Sequence, residues 1–148
     1  MFELVRNLYG GAEIAPPLDN APFTAGETLT AGQVCYFHTD GKLKKAADDE
    51  RAAAVVLISG GANNDTVRGY YILPGMVFKA PGDGTWSADC KVGFSNVELA
   101  DDGKKVNRES PTGDDGPLSI LKIQGNGEYL WVCFNRGFFF KNDDTVST

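Results

Sequence analysis

The sequence predicts an all-β protein, a small β-barrel or β-sandwich of the β-tulip kind, with an extended N-terminal arm. Three observations favour this fold class. Short runs rich in β-branched and aromatic residues recur along the chain, Asp-Gly and Gly-Gly pairs separate many of them, and no stretch has the periodicity of a long amphipathic helix. Glycine supplies 18 of the 148 residues, as in chains with many tight turns. A chain of this length fits one domain with a core of its own.

The N-terminal segment, residues 1–24, differs in character from the rest of the chain. Pro16, Pro17 and Pro22 fix backbone φ and remove amide donors, which favours an extended path. Apolar side chains are spaced along this path, at Phe2, Leu4, Val5, Leu8, Tyr9, Ile14, Leu18 and Phe23. We expect residues 1–24 to be an arm that docks along a surface, its own or a neighbour's, and residues 25–148 to be the β-rich domain.

The first strands of the β-rich domain surround an Asp-Gly pair. Asp40-Gly41 separates Val34–Thr39 from Lys42–Lys45, and this arrangement predicts a β-hairpin. The small apolar residues of Ala52–Ser59 predict a strand that is buried on both faces.

Further strands follow in the second half of the chain. We expect them at Val67–Leu73, Met76–Ala80, Val92–Leu99, Leu118–Gln124 and Glu128–Phe134. The last two form a hairpin through Gly125–Gly127, whereas Pro81–Gly84 predicts a turn and Glu109–Gly116 an acidic loop.

One spacing is repeated within the chain. Gly32–Val34 precedes Asp40-Gly41 by the same distance at which Gly75–Val77 precedes Asp83-Gly84. In a chain this rich in glycine, coincidence explains the match as well as duplication does, so we interpret it only as a recurrent hairpin pattern.

The charge pattern argues against nucleic acid and membrane surfaces as partners. The net charge is −6 and the pI is near 4.7, and the densest basic cluster, Lys42–Lys45, is followed at once by the acidic Asp48–Glu50. Binding to phosphates or anionic lipids needs cations concentrated on one face. Glu3 and Arg6 interrupt any secretory signal core, and Ala52–Ile58 is far shorter than a spanning helix. We therefore expect a soluble protein made in a cytoplasm.

Residues that could carry catalysis or hold a metal are few. His38 is the only histidine, and strand alternation directs it away from Cys35, which weakens a Cys-His pairing. The three cysteines have no C-x-x-C spacing and fit free thiols in a reducing compartment. Paired carboxylates occur in predicted loops, at Asp48-Asp49, Asp101-Asp102, Asp114-Asp115 and Asp143-Asp144, where solvated charge is the ordinary role. We expect no enzymatic activity, cofactor or metal, although a Ca²⁺ ion between loops stays open.

Aromatic side chains are the remaining signal. Phe138, Phe139 and Phe140 are consecutive, so at least one of them must point away from a core on one side of a strand. Exposed aromatic residues are good interface anchors, and a sugar-binding platform would use the same residue types. The sequence does not separate these two roles, for which Trp86 and Trp131 are further candidates.

The segment Thr28–Ala80 resembles the head-decoration (cement) proteins of tailed bacteriophages. The similarity lies in the hairpin "DGKLKKA", a short charged loop, the strand "AAAVVLIS" and the Gly/Asn/Asp-rich turn "GGANND" that leads into the next strand. The resemblance implies a small β-rich protein that binds the major capsid protein on the outside of an assembled capsid, commonly as a homotrimer. It also implies an N-terminal arm that orders against the shell.

Two functional hypotheses follow. The first is a capsid decoration protein, located on the capsid exterior and made in the host cytoplasm, that stabilises the shell by bridging capsomers. Its expected partner interface comprises Phe2, Leu4, Leu8, Tyr9, Ile14, Leu18, Phe23, Phe138, Phe139 and Phe140. The second is a carbohydrate- or ligand-binding β-module of a virion protein such as a head fibre.

Overall fold

The computed structural model describes residues 1–7, 21–46, 53–73, 75–83, 97–100, 102–108, 118–125 and 127–134. Every regular element in this part of the chain is a β-strand, which confirms the predicted all-β fold. The strands are β1 (Glu3–Asn7), β2 (Ala21–Thr24), β3 (Val34–Phe37), β4 (Leu43–Lys45), β5 (Val55–Leu57), β6 (Thr66–Tyr71), β7 (Met76–Asp83), β8 (Val97–Leu99), β9 (Val106–Arg108), β10 (Leu118–Gln124) and β11 (Tyr129–Phe134). Among the described residues there is no helix of the length and hydrophobicity needed to cross a bilayer.

The strands form two sheets. The first has the order β2-β6-β5-β3-β4, and the second has the order β1-β7-β11-β10-β8-β9. We call β2–β6 the first unit and β7–β11 the second unit. Strand β1 is the exception to this division, because it comes first in the chain and yet pairs with β7 of the second unit.

The two units share one topology. If the strands of each unit are numbered from one to five in chain order, both sheets have the order 1-5-4-2-3 with antiparallel neighbours. A parallel contact then joins the first strand to the third and curls each sheet on itself. This contact is the bridge between Ala25 and Leu43 in the first unit and the β7–β9 pairing in the second.

The turn between the second and third strands of each unit is also repeated. The Lys42 amide donates to Oδ1 of Asp40 at 2.9 Å, and the Lys104 amide donates to Oδ1 of Asp102 at 2.8 Å. The glycine between them has a positive φ in both turns, +83° at Gly41 and +67° in its counterpart. An Asp side chain that accepts from the amide two residues later is a standard way to fix a turn, and glycine adopts positive φ without steric strain.

The repeated glycine spacing in the sequence does not correspond to this duplication. Gly32–Val34 leads into β3, the second strand of its unit, whereas Gly75–Val77 leads into β7, the first strand of its unit. The two segments therefore hold different places in the repeated topology.

Strand β5 is buried on both faces, as its sequence predicts. Val55 and Leu57 belong to a core inside the first unit, while Val56 faces a larger core that fills the second unit and the space between the sheets. Each unit thus has its own buried core, and β5 contributes side chains to both cores.

The described parts of residues 1–24 are strands within the two sheets. Strand β1 pairs antiparallel with β7, and β2 pairs antiparallel with β6. Phe2 is 2% exposed and lies in the larger core, with its ring 6.4 Å from Phe78 and 6.2 Å from Phe134. The structure thus places Phe2, directly before β1, in the larger core of its own chain, where its amide donates to the carbonyl of Gly32 at 2.9 Å.

Two further elements differ from the predicted ones. Strand β7 runs through Pro81 to Asp83, where the sequence predicts a turn, because the fixed φ of proline is compatible with extended backbone. The Gly82 amide continues the ladder by donating to the carbonyl of Glu128 at 3.3 Å. Strand β9 is only three residues long and carries one buried apolar residue, Val106, which is too little for an alternation signal.

We predict that Gly69→Ala lowers the free energy of unfolding by about 1–3 kcal/mol, because overpacking of a tight site has this order of effect. A Cβ at Gly69 would lie 2.6 Å from Cγ1 of Val55 and 2.7 Å from the backbone oxygen of Val56. Urea denaturation measures the change. Thr66→Ala, on an exposed position of the same strand, is the control and is expected to have little effect. Equal stability of the Gly69 variant and the wild type would contradict the close packing at β6.

Candidate partner-binding site

Three aromatic side chains meet on the surface of the first unit. The ring centroids of Phe23 and Tyr71 are 5.3 Å apart, those of Phe23 and Phe37 are 5.8 Å apart, and those of Phe37 and Tyr71 are 6.4 Å apart. These distances are typical of aromatic pairs in contact. We call Phe23, Phe37 and Tyr71 the aromatic cluster.

The curl of the first sheet brings the cluster together. Phe37 ends β3 and Tyr71 ends β6, and these two strands run in the same direction because β5 lies antiparallel between them. Phe23 lies on β2, which pairs with the other edge of β6. Gly69 lies on the same face of β6 as Tyr71, where its lack of a side chain leaves room for Val55 of the neighbouring strand β5.

The cluster combines a buried base with an exposed surface. Phe23 packs against the core inside the first unit, whereas Phe37 is 41% exposed and Tyr71 is 39% exposed. Rings held in place by such packing lose little conformational freedom when a partner covers them. An exposed aromatic patch on a rigid strand end is therefore suited to binding an apolar surface.

The structure places only some of the predicted interface residues. Phe23 lies in the aromatic cluster, Leu4 is half-buried beside the larger core, and Phe2 is within that core. The positions that lie outside the described residues are Leu8, Tyr9, Ile14, Leu18, Phe138, Phe139 and Phe140. Phe37 and Tyr71 were not among the predicted interface residues. Phe37 shares a strand face with the buried Cys35, and Tyr71 shares one with the buried Val67. This alternation predicts which face each ring occupies, but not that the rings are exposed at the ends of their strands.

A second apolar surface lies beside the N-terminal strand. A groove of about 280 Å³ is bordered by Met1, Leu4, Ile58 and Tyr70, among others. Burial lowers the pKa of the Met1 amino group, which lies at this edge of the second sheet. The groove is flanked by the exposed side chains of Met1 and Ile58, so it offers apolar contact area in addition to the aromatic cluster.

His38 and Cys35 do not form a catalytic pair. Cys35 is buried in the core of the first unit, while the ring of His38 lies near Tyr36, whose ring packs on the larger core. Nδ1 of His38 is 3.3 Å from Oδ1 of Asp40. The backbone hydrogen bond from Lys42 lowers the pKa of Asp40, and His38 adds to the same effect. The group therefore belongs to the turn of the β3–β4 hairpin.

Acidic clusters supply no metal centre in the part of the chain that the structure describes, where no group of three or more His, Cys, Asp or Glu side chains converges. Of the paired carboxylates, Asp102 has a structural role. Its side chain accepts the Lys104 amide, and its backbone oxygen accepts a hydrogen bond of 2.8 Å from Nε2 of Gln33. Asp48-Asp49, Asp114-Asp115 and Asp143-Asp144 lie outside the described residues.

We predict that the Cys35 thiol reacts about 1,000-fold more slowly with a thiol reagent in the folded protein than in urea at pH 8, because only the thiolate is nucleophilic. Burial raises the pKa of Cys35 from 9.0 to about 12. Ellman's reagent on a Cys90→Ser/Cys133→Ser variant isolates this thiol. The folded state binds the thiol proton more tightly than the unfolded state does. The free energy of unfolding therefore falls as pH rises from the pKa of the unfolded state toward that of the folded state. Rapid labelling of the folded variant would contradict the placement of Cys35.

Comparison with known structures identifies a similar fold in a phage protein. The chain is similar to the N base of the head fiber protein gp8.5 of bacteriophage phi29, with a TM-score of 0.56 over 80% of this chain and 95% of that chain. The sequence identity is 16%, so the likeness is one of fold. No protein-family model matches the chain, and no curated protein sequence matches it.

Proposed function

We propose that this protein is a structural protein of a bacteriophage virion that binds the outer surface of the assembled capsid and stabilises it by bridging capsomers. The observation that carries the proposal is the likeness of most of the chain to the base of a phage head fiber. The resemblance of Thr28–Ala80 to phage decoration proteins points to the same class. In this proposal the protein is made in the host cytoplasm and acts on the capsid exterior by binding, without catalysis.

The proposed partner is the major capsid protein, contacted by a homotrimer. The aromatic cluster is the part of the described surface best suited to this contact, because its rings are exposed and already ordered. Burying such rings against an apolar site supplies a large share of binding energy in protein interfaces. A protein that binds only the assembled shell stabilises that shell by mass action.

The second candidate is the base of a head fibre. It is favoured by the extent of the structural match, which covers nearly the whole of the phi29 base. A fibre base also attaches to the capsid, but its main task is to hold a further module. The two candidates therefore differ in whether binding bridges capsomers, and so in how strongly it stabilises the shell.

Capsid binding tests the proposal and separates the two candidates. Purified protein is mixed with empty mature capsids of its phage, and the bound fraction is measured by sedimentation through sucrose. A decoration protein that bridges capsomers is expected to co-sediment and to raise the capsid melting temperature clearly, whereas a fibre base held by one capsomer is expected to co-sediment with a much smaller shift. Failure of the folded protein to bind capsids would exclude both.

A further inference from the structure

The outer face of the second sheet presents a small grid of aromatic and cationic side chains. In one row Lys79 of β7, Trp131 of β11 and Lys122 of β10 are direct cross-strand partners. The adjacent row consists of Pro81, Tyr129 and Gln124 on the same three strands. We call these residues the outer-face platform, which comprises Lys79, Pro81, Lys122, Gln124, Tyr129 and Trp131.

The lysines of the platform are held against the aromatic rings. Nζ of Lys79 lies 4.5 Å from the ring centroid of Tyr129, and Nζ of Lys122 lies 4.9 Å from that of Trp131. Tyr129 is 41% exposed and Lys122 is exposed, while the other platform side chains are half-buried. Cation–π contacts order a lysine side chain while its ammonium keeps donors for another partner.

We propose that the outer-face platform binds an anionic polysaccharide, in which a sugar ring packs on Tyr129 and Trp131 and its carboxylate or sulfate groups accept from Lys79 and Lys122. The polarised C–H groups on one face of a sugar ring suit the negative face of an aromatic ring. Gln124 provides an amide for the sugar hydroxyl groups. The two ordered lysine ammonium groups favour a negatively charged ligand at this site. They form a local positive patch, although the whole chain has a net charge of −6.

The dimensions of the platform favour a sugar over a protein. Three adjacent strands span about 10 Å, and two rows on one face of a strand are about 7 Å apart. That area matches one or two sugar rings and is far below the roughly 800 Å² that each partner buries in a stable protein interface. Nucleic acid is disfavoured because it needs a broader basic surface than two lysines.

One carboxylate stands next to the platform. Glu3 of β1 is the cross-strand partner of Lys79, so it extends the same row at the edge of the sheet. Its side chain is exposed and would repel an anionic ligand. Removal of this charge by Glu3→Gln should therefore tighten binding, which a purely structural role of the platform lysines would not predict.

Intrinsic fluorescence of a Trp86→Phe variant tests the inference, because Trp131 is then the only tryptophan. The probes are tetragalacturonate and a heparin tetrasaccharide, with neutral galactotetraose as the uncharged comparison. We expect the two anionic probes to change the Trp131 emission in low salt and galactotetraose to have little effect. Lys79→Gln/Lys122→Gln should weaken binding by about tenfold or more, since hydrogen bonds to charged groups are the strong ones, and Glu3→Gln should strengthen it about twofold.

The controls separate the site from general charge effects. Lys44→Gln/Lys45→Gln removes the same charge from the first sheet and should leave binding unchanged. Absence of binding by the folded protein to both anionic probes would overturn the inference. So would equal binding by the platform variant, or tighter binding to a single-stranded oligonucleotide or an acidic protein than to the sugars. The platform lies on the other sheet from the aromatic cluster, so the inference stands or falls independently of capsid attachment.

Discussion

Replacing Phe37 and Tyr71 together by serine is expected to weaken capsid binding by about 100-fold or more while leaving the protein folded. Aromatic residues at the centre of an interface commonly contribute about 2 kcal/mol or more each when truncated, and two such losses correspond to at least this factor. Both side chains are about two-fifths exposed, so their loss removes little packing from the core. Sedimentation with empty capsids over a range of protein concentrations measures the change.

The control for this prediction is Leu121→Ser, which removes another exposed apolar side chain, 43% exposed, away from both the aromatic cluster and the groove. This variant is expected to bind capsids as the wild type does. Circular dichroism and thermal melting of both variants check that they are folded. Capsid binding at wild-type strength by the folded Phe37/Tyr71 variant would exclude the aromatic cluster as the contact.

A further Phe23→Ser change tests the base of the cluster, with some loss of stability expected because Phe23 packs on the core.

Phe2→Ala is expected to lower the free energy of unfolding by about 3–5 kcal/mol, which is the usual range for a buried phenylalanine. Phe2 is 2% exposed and contacts the rings of Phe78 and Phe134, so truncating its side chain leaves a cavity within the larger core. For a chain of this size the melting temperature should fall by roughly 10 °C.

Thermal melting with and without capsids distinguishes a core role of Phe2 from a contact role. Leu121→Ala, at an exposed position, is the control and should melt close to the wild type. If Phe2→Ala melted as the wild type does but lost capsid binding, Phe2 would be an interface residue and its placement in the core would be wrong.

Deletion of residues 1–24 is a poor test of an arm, since it would remove β1 and β2 from the two sheets.

The local parts of the fold could be predicted from the sequence because their signals lie within a few residues. Asp40-Gly41 marks a hairpin that the structure confirms, and the Gly125–Gly127 turn joins β10 to β11 as expected. Gly125 and Gly127 both have positive φ, +60° and +90°. The small apolar residues of Ala52–Ser59 indicated a strand buried on both faces, which the two cores explain for Val55–Leu57, whereas Ile58 is exposed.

The long-range parts could not be predicted because they depend on partners far away in sequence. Glu3–Asn7 becomes a strand through pairing with β7, and Ala21–Thr24 becomes one through pairing with β6. The duplication of the two units is visible in strand order and in the Asp-Gly-Lys turns at Asp40 and Asp102. Strand order depends on pairing between segments that are distant in sequence, so the repeated topology could be recognised only from the structure.

The candidate sites show the same limit. Phe23 was predicted as an interface residue from its place among spaced apolar residues, and the structure adds the two rings beside it. The curl of the sheet, which no local pattern encodes, brings β2, β3 and β6 together at one end. The lysine-aromatic grid on the second sheet depends on the register of β7, β10 and β11, including an irregularity between Ile120 and Lys122.

The position of β1 has a consequence for folding during synthesis. Glu3–Asn7 leaves the ribosome well before its partner strand, Met76–Asp83, which emerges only after all of the first unit. Strands β2 to β6 are contiguous in the chain and can pair with one another while synthesis continues, because every strand of their sheet has then been made. Strand β1 is thus made before the first unit but pairs only after it, and the nascent chain carries an unpaired strand until β7 appears.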